Sequence, residues 1–292
     1  MYGAIFGDYV GSVYEFDNIK TKEFELYNPR ASITDDSYMA IAVASACLSY
    51  AHHRDYDEFT ADVERELRRV GRLYPYPMGG YGCRFREWLT SSDPKPYGSW
   101  GNGSAMRVVA CGWVADTLME ATELARRSAL PTHDHEEGIK GAEAVAACIH
   151  LALKGHRKAR IREYIRTYYY PLDKTLDEIR PDYEFDGSCQ GTVPVAIQAF
   201  LEGHNFEDAI RNAVSVGGDC DTLTTITGAI AEAFFGVPAH IEGLTKRALF
   251  EGLRDEEMEI VDEFRAEFCT PERKQFHPDA LSEMERFERN VK

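Results

Sequence analysis

Apolar and small side chains recur along most of the chain at steps of three and four residues, which places them on one face of an α-helix. One such run follows Asp36 and another follows Asp221, where Gly236 is placed to end the helix. Further helices are predicted at residues 142–153, 206–216 and 241–253, and from a first turn at Pro194 onward.

Alternating runs of β-branched residues, which are typical of strands, are almost absent. The best strand candidate is the stretch Thr167–Tyr170. Neither a low-complexity linker nor a repeat at a fixed period interrupts the helical pattern. The sequence therefore predicts an all-α fold, a single compact multi-helix bundle over residues 1–292. We interpret the charge-rich tail from about residue 270 as an added helix.

The composition is that of a globular protein, with 44% hydrophobic and 28% charged residues in a chain of 292. No apolar stretch approaches the roughly 20 residues that span a bilayer, and the first residues lack the basic region of a secretion signal. The seven cysteines are an odd number and never fall at CxxC spacing. We therefore expect a cytoplasmic protein with reduced thiols, without a zinc site or disulfide framework.

The formal net charge of −16 changes this picture, because it repels nucleic acids and anionic membranes. General nucleic-acid binding and membrane binding are therefore not expected. An acidic protein that binds an anionic ligand needs local help from metal ions, helix N-termini or loop amides.

Two predicted helices begin with the same arrangement of carboxylates. Thr34-Asp35-Asp36-Ser37 precedes one apolar helix, and Asp219-Cys220-Asp221-Thr222 precedes another. If the two helices pack side by side, four carboxylates converge. Hard oxygen ligands suit Mg²⁺ or Mn²⁺, and two divalent cations neutralise four negative charges.

A second interpretation of these residues stays open. Ser, Thr and Asp at helix starts usually cap free backbone N–H groups and complement the helix dipole. Capping and metal binding are compatible, and the adjacent pair Asp35 and Asp36 exceeds what one cap requires. The pattern alone does not decide between them.

The glycine-rich segment Trp100–Arg107 leads into an apolar run. Glycines let a backbone approach a ligand closely, and loop amides at a helix start bind phosphate. The alternative is a tight turn capped by Ser104. Two further candidates are ambiguous by pattern: His133 and His135 form either a zinc-binding pair or a polar loop, and Glu15 is by pattern an ordinary surface residue.

Taken together, these segments resemble the ADP-ribosylglycohydrolase family. The likeness runs from Gly7 to about Pro238 and rests on five motifs in the family order. They are Gly7-Asp8 through Glu15, Thr34-Asp35-Asp36, Gly101-Asn102-Gly103-Ser104-Ala105-Met106-Arg107, Thr132-His133, and Gly217-Gly218-Asp219-Cys220-Asp221-Thr222. Two departures are small, because Ser37 stands where many members have Thr and Cys220 fills a variable position.

The resemblance implies an all-α bundle with a centre of two Mg²⁺ or Mn²⁺ ions that cleaves ADP-ribose from a modified acceptor. The metal ligands that it implies are Thr34, Asp35, Asp36, Asp219, Asp221 and Thr222. The substrate-binding residues that it implies are Gly98, Ser99, Trp100, Gly101, Asn102, Gly103, Ser104 and His133. Glu15 is the expected catalytic group that aligns or deprotonates water, with Asp36 as the other catalytic candidate.

The substrate implied in this way is an ADP-ribosylated protein or another ADP-ribosylated acceptor, and the product is ADP-ribose. Two other functions stay open: a catalytically silent ADP-ribose-binding module, and a metal-dependent phosphohydrolase that cuts the diphosphate. The sequence does not distinguish arginine, serine, nucleobase or small-molecule linkages, nor Mg²⁺ from Mn²⁺.

Overall fold

The computed structural model describes residues 1–270. Within this range the chain forms fifteen helices and no strand, which confirms the all-α prediction. The helices are α1 (Tyr2–Gly11), α2 (Asp35–His53), α3 (Tyr56–Leu73), α4 (Cys83–Thr90), α5 (Gly103–Met106), α6 (Val109–Val114), α7 (Leu118–Ala129), α8 (Glu136–Leu153), α9 (Lys158–Tyr168), α10 (Leu176–Ile179), α11 (Cys189–Glu202), α12 (Phe206–Val216), α13 (Cys220–Phe235), α14 (Ala239–Gly252) and α15 (Asp255–Phe268). The helix interpreted in the tail lies outside the described residues.

The strongest periodic segments are helices as predicted. The runs after Asp36 and Asp221 are α2 and α13, and Gly236 ends α13 at a φ of +79°. The segment 206–216 coincides with α12. The helix predicted at 142–153 begins earlier, at Glu136, because His135 caps its first turn by accepting a hydrogen bond from the Glu137 N–H.

Three local predictions are wrong. Thr167 and Tyr168 belong to α9, where Ile161, Tyr164 and Ile165 are buried at helical spacing, and Tyr169 and Tyr170 follow the helix end, so the segment is not a strand. Pro194 lies inside α11, which begins at Cys189. Proline has no N–H to donate, so the Gln190 carbonyl four residues back loses its helical partner. Gln190 is an exposed residue, so solvent is close to that carbonyl.

The third concerns Ser104, which does not cap the turn at the glycine-rich segment. The N-cap position of α5 is Asn102, without a side-chain cap hydrogen bond. The Ser104 hydroxyl instead donates to the Gly138 carbonyl at 2.6 Å. It therefore joins α5 to α8 rather than closing its own turn.

Helix α13 lies at the centre of the bundle, packed against α1, α8, α11 and α12. Every residue from Cys220 to Ala233 is buried. A helix surrounded on all sides in this way has a fixed position. Its N-terminal end, which carries Asp219 and Asp221, is correspondingly held in place.

Glycines bring α1 unusually close to α13. A Cβ atom added at Gly7 would lie 2.0 Å from the Thr224 carbonyl oxygen, and one at Gly3 would lie 2.2 Å from the Gly228 carbonyl oxygen. The Thr224 hydroxyl donates to the Gly7 carbonyl at 2.6 Å across this contact. Only residues without a side chain permit the approach, so α1 and its Asp8 are located by the backbone of α13.

Among the helices of residues 1–270, none combines the length and the apolar character that crossing a membrane requires.

The α1–α13 contact predicts a large effect of a single methyl group. Gly7→Ala should lower the free energy of unfolding by about 1–3 kcal/mol, because the added Cβ forces two packed backbones apart. The matched control is Gly243→Ala in α14, where a Cβ meets nothing within 4 Å. It should raise stability by about 0.4–1 kcal/mol. Urea unfolding of both variants measures the difference, and equal stabilities would contradict the close contact.

Candidate active site

A cleft of about 430 Å³ opens where α2, α5 and α13 begin. This volume lies within the usual range for small-molecule sites, about 300–1,000 Å³. Its lining comprises Glu15, Asp35, Asp36, Met39, Gly80, Gly82, Cys83, Arg84, Phe85, Tyr97, Ser99, Gly101, Asn102, Gly103, Met106, Arg107, His133, Phe185, Gly187, Asp219, Asp221 and Thr222. Most of the residues singled out from the sequence therefore share one cavity.

The start of α2 is held by a carboxylate from another helix. Asp8 of α1 is fully buried, and its Oδ2 accepts hydrogen bonds from the Thr34 N–H at 2.8 Å, the Ser37 N–H at 3.1 Å and the Ser37 hydroxyl. Thr34 is the N-cap and accepts from the Asp36 N–H at 3.2 Å. The backbone donors are satisfied by Asp8 and Thr34, which leaves the carboxylates of Asp35 and Asp36 for another use.

The start of α13 is linked to that of α2. The Thr222 hydroxyl donates to Asp36 Oδ2 at 3.3 Å, and the Thr222 N–H donates to Asp221 Oδ1 at 3.0 Å. The turn before Asp219 contains Gly217 and Gly218, whose φ angles of +74° and +76° favour glycine. The two helix starts thus lie side by side, as the converging-carboxylate interpretation requires.

Carboxylate oxygens of Glu15, Asp219 and Asp221 all lie within 4.8 Å of one another, in an arrangement that could hold a metal ion. Three buried carboxylate oxygens in and around this cluster have no hydrogen-bond partner among the described residues: Asp8 Oδ1, Glu15 Oε2 and Asp36 Oδ1. Unpartnered buried oxygens are costly unless a ligand satisfies them. An all-oxygen donor set of this kind fits Mg²⁺ or Mn²⁺.

The electrostatics of this end of the cleft are dominated by like charge. Burial, reinforced by the charge of Asp221, raises the pKa of Asp8 to about 7 and that of Glu15 to about 8. The same causes raise the pKa values of Asp35 and Asp36 well above their ordinary range. Asp8 and Glu15 thus join the four aspartates recognised in the sequence. The cluster therefore contains six carboxyl groups, two more than the four that two divalent cations would neutralise.

The glycine-rich loop is fastened to the segment before α11. The Asn102 N–H donates to the Gly187 carbonyl at 2.9 Å, and the Cys189 N–H donates to the Trp100 carbonyl at 2.9 Å. The Asn102 side chain donates to Asp219 Oδ2 at 2.7 Å and to Thr192 Oγ1 at 3.0 Å. Asn102 is therefore placed to orient a carboxylate of the cluster, a task that its motif did not reveal.

Only some of the predicted substrate-binding residues line the cleft. Ser99, Gly101, Asn102, Gly103 and His133 line the cleft. Gly98, Trp100 and Ser104 do not appear in its lining, and neither does Thr34 among the predicted metal ligands. The Trp100 side chain is 51% exposed, with its ring edge-on to His135 at a centroid distance of 5.3 Å.

His133 and His135 serve different parts of the structure. His133 is buried, and burial together with the charge of Arg107 lowers its pKa well below the usual value, so the ring is neutral. Its Nδ1 lies 2.7 Å from Thr132 Oγ1, which accepts a hydrogen bond from the Arg107 guanidinium at 2.8 Å. His135 is exposed and caps α8. This separation does not favour the zinc-pair interpretation.

Several cleft residues were not recognised as functional candidates. The Arg84 guanidinium lies 4.8 Å from the centroid of the Tyr97 ring, and both residues line the cavity. Phe185 lines the cavity near Asp219. None of these three stands in a motif that marks its chemistry, and Asp8 was part of a motif without an assigned role. An Asp inside the apolar helix α1 was the one available signal.

Comparison with known proteins gives one consistent result. The model of the ADP-ribosylglycohydrolase family matches residues 1–273. The chain is 27% identical to ADP-ribosylhydrolase ARH3 of Xenopus tropicalis, with 80% of this chain and 85% of that protein covered. It is 26% identical to ADP-ribosylarginine hydrolase Tri1 of Pseudomonas putida, with 80% and 69% covered.

A solved structure of an "ADP-ribosylglycohydrolase-related protein complex" superimposes with a TM-score of 0.57 at 24% identity, covering 85% of this chain and 93% of that chain. This likeness supports the fold. With the family match over nearly the whole length, it establishes that the chain belongs to the ADP-ribosylglycohydrolase family.

The carboxylate cluster predicts a pH dependence of stability that divalent ions oppose. In the unfolded chain Asp and Glu lose their protons near pH 4, whereas the folded pKa values of Asp8 and Glu15 are about 7 and about 8. Between these limits the folded state binds more protons, so stability falls as pH rises from about 4 to 8. In chelator, the melting temperature should be lower at pH 8.5 than at pH 6.

Millimolar Mg²⁺ or Mn²⁺ should reduce this fall, since cations replace the protons that the cluster loses. The matched control is Asp8→Asn, which removes one buried carboxylate and should flatten the profile in chelator. An equal melting temperature at both pH values, with no effect of either ion, would contradict the cluster's electrostatics.

Proposed function

We propose that this protein hydrolyses the glycosidic bond between ADP-ribose and a modified acceptor, releasing ADP-ribose, with the help of two divalent ions, Mg²⁺ or Mn²⁺. The observation that carries the proposal is the convergence of five carboxylates in the lining of a ligand-sized cleft, with Asp8 buried beside them and three of their oxygens unpartnered. Membership of a family of ADP-ribosyl hydrolases supports the reaction class.

The ions would be held by Asp35, Asp36, Asp219 and Asp221, together with Thr34 and Thr222, and Glu15 would lie beside them. Bound ions would supply positive charge for the hydroxyls and diphosphate of an anionic substrate in an acidic protein. This need is strong here, because the cluster leaves a like-charge excess that only cations or protons relieve. Asp8 would hold the start of α2 in place, since its Oδ2 already accepts hydrogen bonds from the Thr34 and Ser37 N–H groups.

The remaining cleft residues would bind the rest of the substrate. Gly101 and Gly103 present backbone without side chains beside His133 Nε2, which a Cβ at Gly103 would meet at 3.3 Å. The neutral His133 ring is available to hydrogen-bond a sugar or phosphate oxygen. Tyr97 adds an aromatic face to the same cleft, suited to packing against a ring of the substrate.

Glu15 would supply the acid–base function. Cleavage of a glycosidic bond develops positive charge on the sugar ring, which nearby carboxylates stabilise. Glu15 is half-buried at the cleft, its Oε2 lacks a hydrogen-bond partner among the described residues, and its raised pKa of about 8 favours proton transfer near neutrality. Asp36, also unpartnered at one oxygen, is the second candidate for this role.

The first experiment identifies the product. Purified protein is incubated with chemically defined ADP-ribosylated peptides, with Mg²⁺, with Mn²⁺ and in excess chelator. We expect free ADP-ribose with either ion and none in chelator. Asp219→Asn and Asp36→Asn should lose bound metal and most turnover, whereas the exposed control Asp173→Asn should retain both.

The products also separate the other functions. Release of AMP would identify a phosphohydrolase that cuts the diphosphate. Tight binding of ADP-ribose without any product would identify a silent binding module. Full turnover in chelator by protein that contains no metal would contradict the metal-dependent mechanism.

The second experiment separates catalysis from binding through Glu15→Gln, which keeps the shape of the side chain and removes its basic oxygen. Turnover should fall by about 10²–10⁴, the usual contribution of a positioned acid–base group. Metal content and ADP-ribose affinity should stay near those of the parent. Single-turnover release of ADP-ribose and calorimetric binding of the product measure the two effects, with the exposed Glu163→Gln as control.

Turnover within a few-fold of the parent would transfer the acid–base role to Asp36. Loss of metal from Glu15→Gln would place Glu15 among the metal ligands, a role that its closeness to Asp219 and Asp221 also allows.

A further inference from the structure

One tetrapeptide, Tyr-Glu-Phe-Asp, occurs twice in the sequence, at residues 14–17 and 183–186. The two copies meet in space. The rings of Phe16 and Phe185 are nearly parallel, at an angle of 14° with centroids 6.5 Å apart. Both side chains are strongly exposed, at 77% and 55%. Two adjacent exposed rings form a contiguous apolar patch, and contiguous patches of this kind mark binding sites.

The aromatic pair lies at the carboxylate end of the cleft. Phe185 lines the cavity, and a Cβ at Gly187 would lie within 3.8 Å of both the Phe185 ring and Asp219 Oδ2. Phe16 directly follows Glu15, whose carboxylate belongs to the cluster with Asp219 and Asp221. Phe185 therefore lies in the cavity wall near the proposed centre, and Phe16 lies beside it.

This position identifies what the pair would contact. If the carboxylate end holds the ribose whose glycosidic bond is broken, the group bonded to that ribose leaves from the same end. The adenosine part of the substrate extends the other way along the cleft. The aromatic pair would thus face the acceptor and not the ADP-ribose.

Carboxylates flank both rings. Asp17 and Glu184 are exposed, and Asp186 accepts a hydrogen bond from the Ser188 N–H at 2.9 Å. The nearby cation Lys20 donates to the carbonyls of Tyr183 and Val216, at 2.6 Å each. These bonds hold the Lys20 ammonium against the backbone, and the neighbouring Arg180 pairs with Asp177. The carboxylates of Asp17, Glu184 and Asp186 therefore outnumber Lys20 beside the rings.

We propose that Phe16, Phe185, Asp17 and Glu184, which we call the acceptor rim, bind the guanidinium group of an ADP-ribosylated arginine in a protein substrate. The inference rests on the proposed function. A guanidinium is planar and cationic, so it packs on aromatic faces and pairs with carboxylates at once. A serine side chain linked to ADP-ribose has neither a planar group nor a positive charge. A neutral nucleobase would stack on the rings without gaining from the carboxylates.

The test compares two peptides of identical flanking sequence, one ADP-ribosylated on arginine and one on serine, with the Mg²⁺-loaded protein. The parent should cleave the arginine peptide with a kcat/KM at least about tenfold higher. Phe16→Leu and Phe185→Leu keep apolar bulk but remove the aromatic faces. Each should raise KM for the arginine peptide about threefold to tenfold, as expected for losing a cation–π contact.

The same variants should leave the affinity for free ADP-ribose, the metal content and the KM for the serine peptide unchanged. Phe250→Leu is the matched control, since Phe250 is 76% exposed on α14, away from the cleft lining. Asp17→Asn with Glu184→Gln should weaken the arginine preference at low salt, and added salt should weaken that of the parent, because exposed charges are screened.

The proposal of the acceptor rim is overturned if the parent prefers the serine peptide, or if the double variant Phe16→Leu/Phe185→Leu keeps the parent's arginine-to-serine ratio. Failure of the proposed function gives a different result. In that case neither peptide releases ADP-ribose, whether or not free ADP-ribose binds.

Discussion

Repulsion among buried carboxylates is the constraint around which this protein is built. Asp8, Asp35, Asp36, Asp219 and Asp221 converge with Glu15 where two helices begin, and burial raises the pKa of every one of them. The N-terminal ends of α2 and α13 offset part of this cost, because their partial positive charge faces the cluster. Hydrogen bonds from Asn102 and Thr222 offset a further part.

The rest of the bundle keeps these groups together. Asp219 and Asp221 stand at the end of α13, a helix buried on every side, and α1 is pressed onto it through glycines. Asp8 then reaches from α1 to the first turn of α2 and fixes the position of Asp35 and Asp36. A cluster held by three packed helices cannot relax by spreading apart, so cations or protons must balance its charge.

The sequence predicted the helices and the carboxylate pairs because both are local patterns. Helical spacing located α2, α12 and α13. The paired motifs at the starts of α2 and α13 marked Asp36 and Asp221. Local pattern could not show that Pro194 continues a helix, since this depends on Gln190, one turn earlier, being exposed in the folded protein. Nor could it show that Asp8 caps a helix 26 residues away, because that contact exists only after α1 has packed.

The contact between Phe16 and Phe185 is another feature that local sequence pattern could not predict. The repeated tetrapeptide is visible in the sequence, but its meaning depends on the fold, which brings together residues that are far apart in the sequence. A metal centre that holds ribose makes no contact that distinguishes one acceptor from another. Discrimination must come from side chains beyond the ribose, where a wrong acceptor leaves charge or aromatic surface unmatched. At the carboxylate end of this cleft, the exposed aromatic and acidic side chains that meet this requirement come from the two copies of one tetrapeptide.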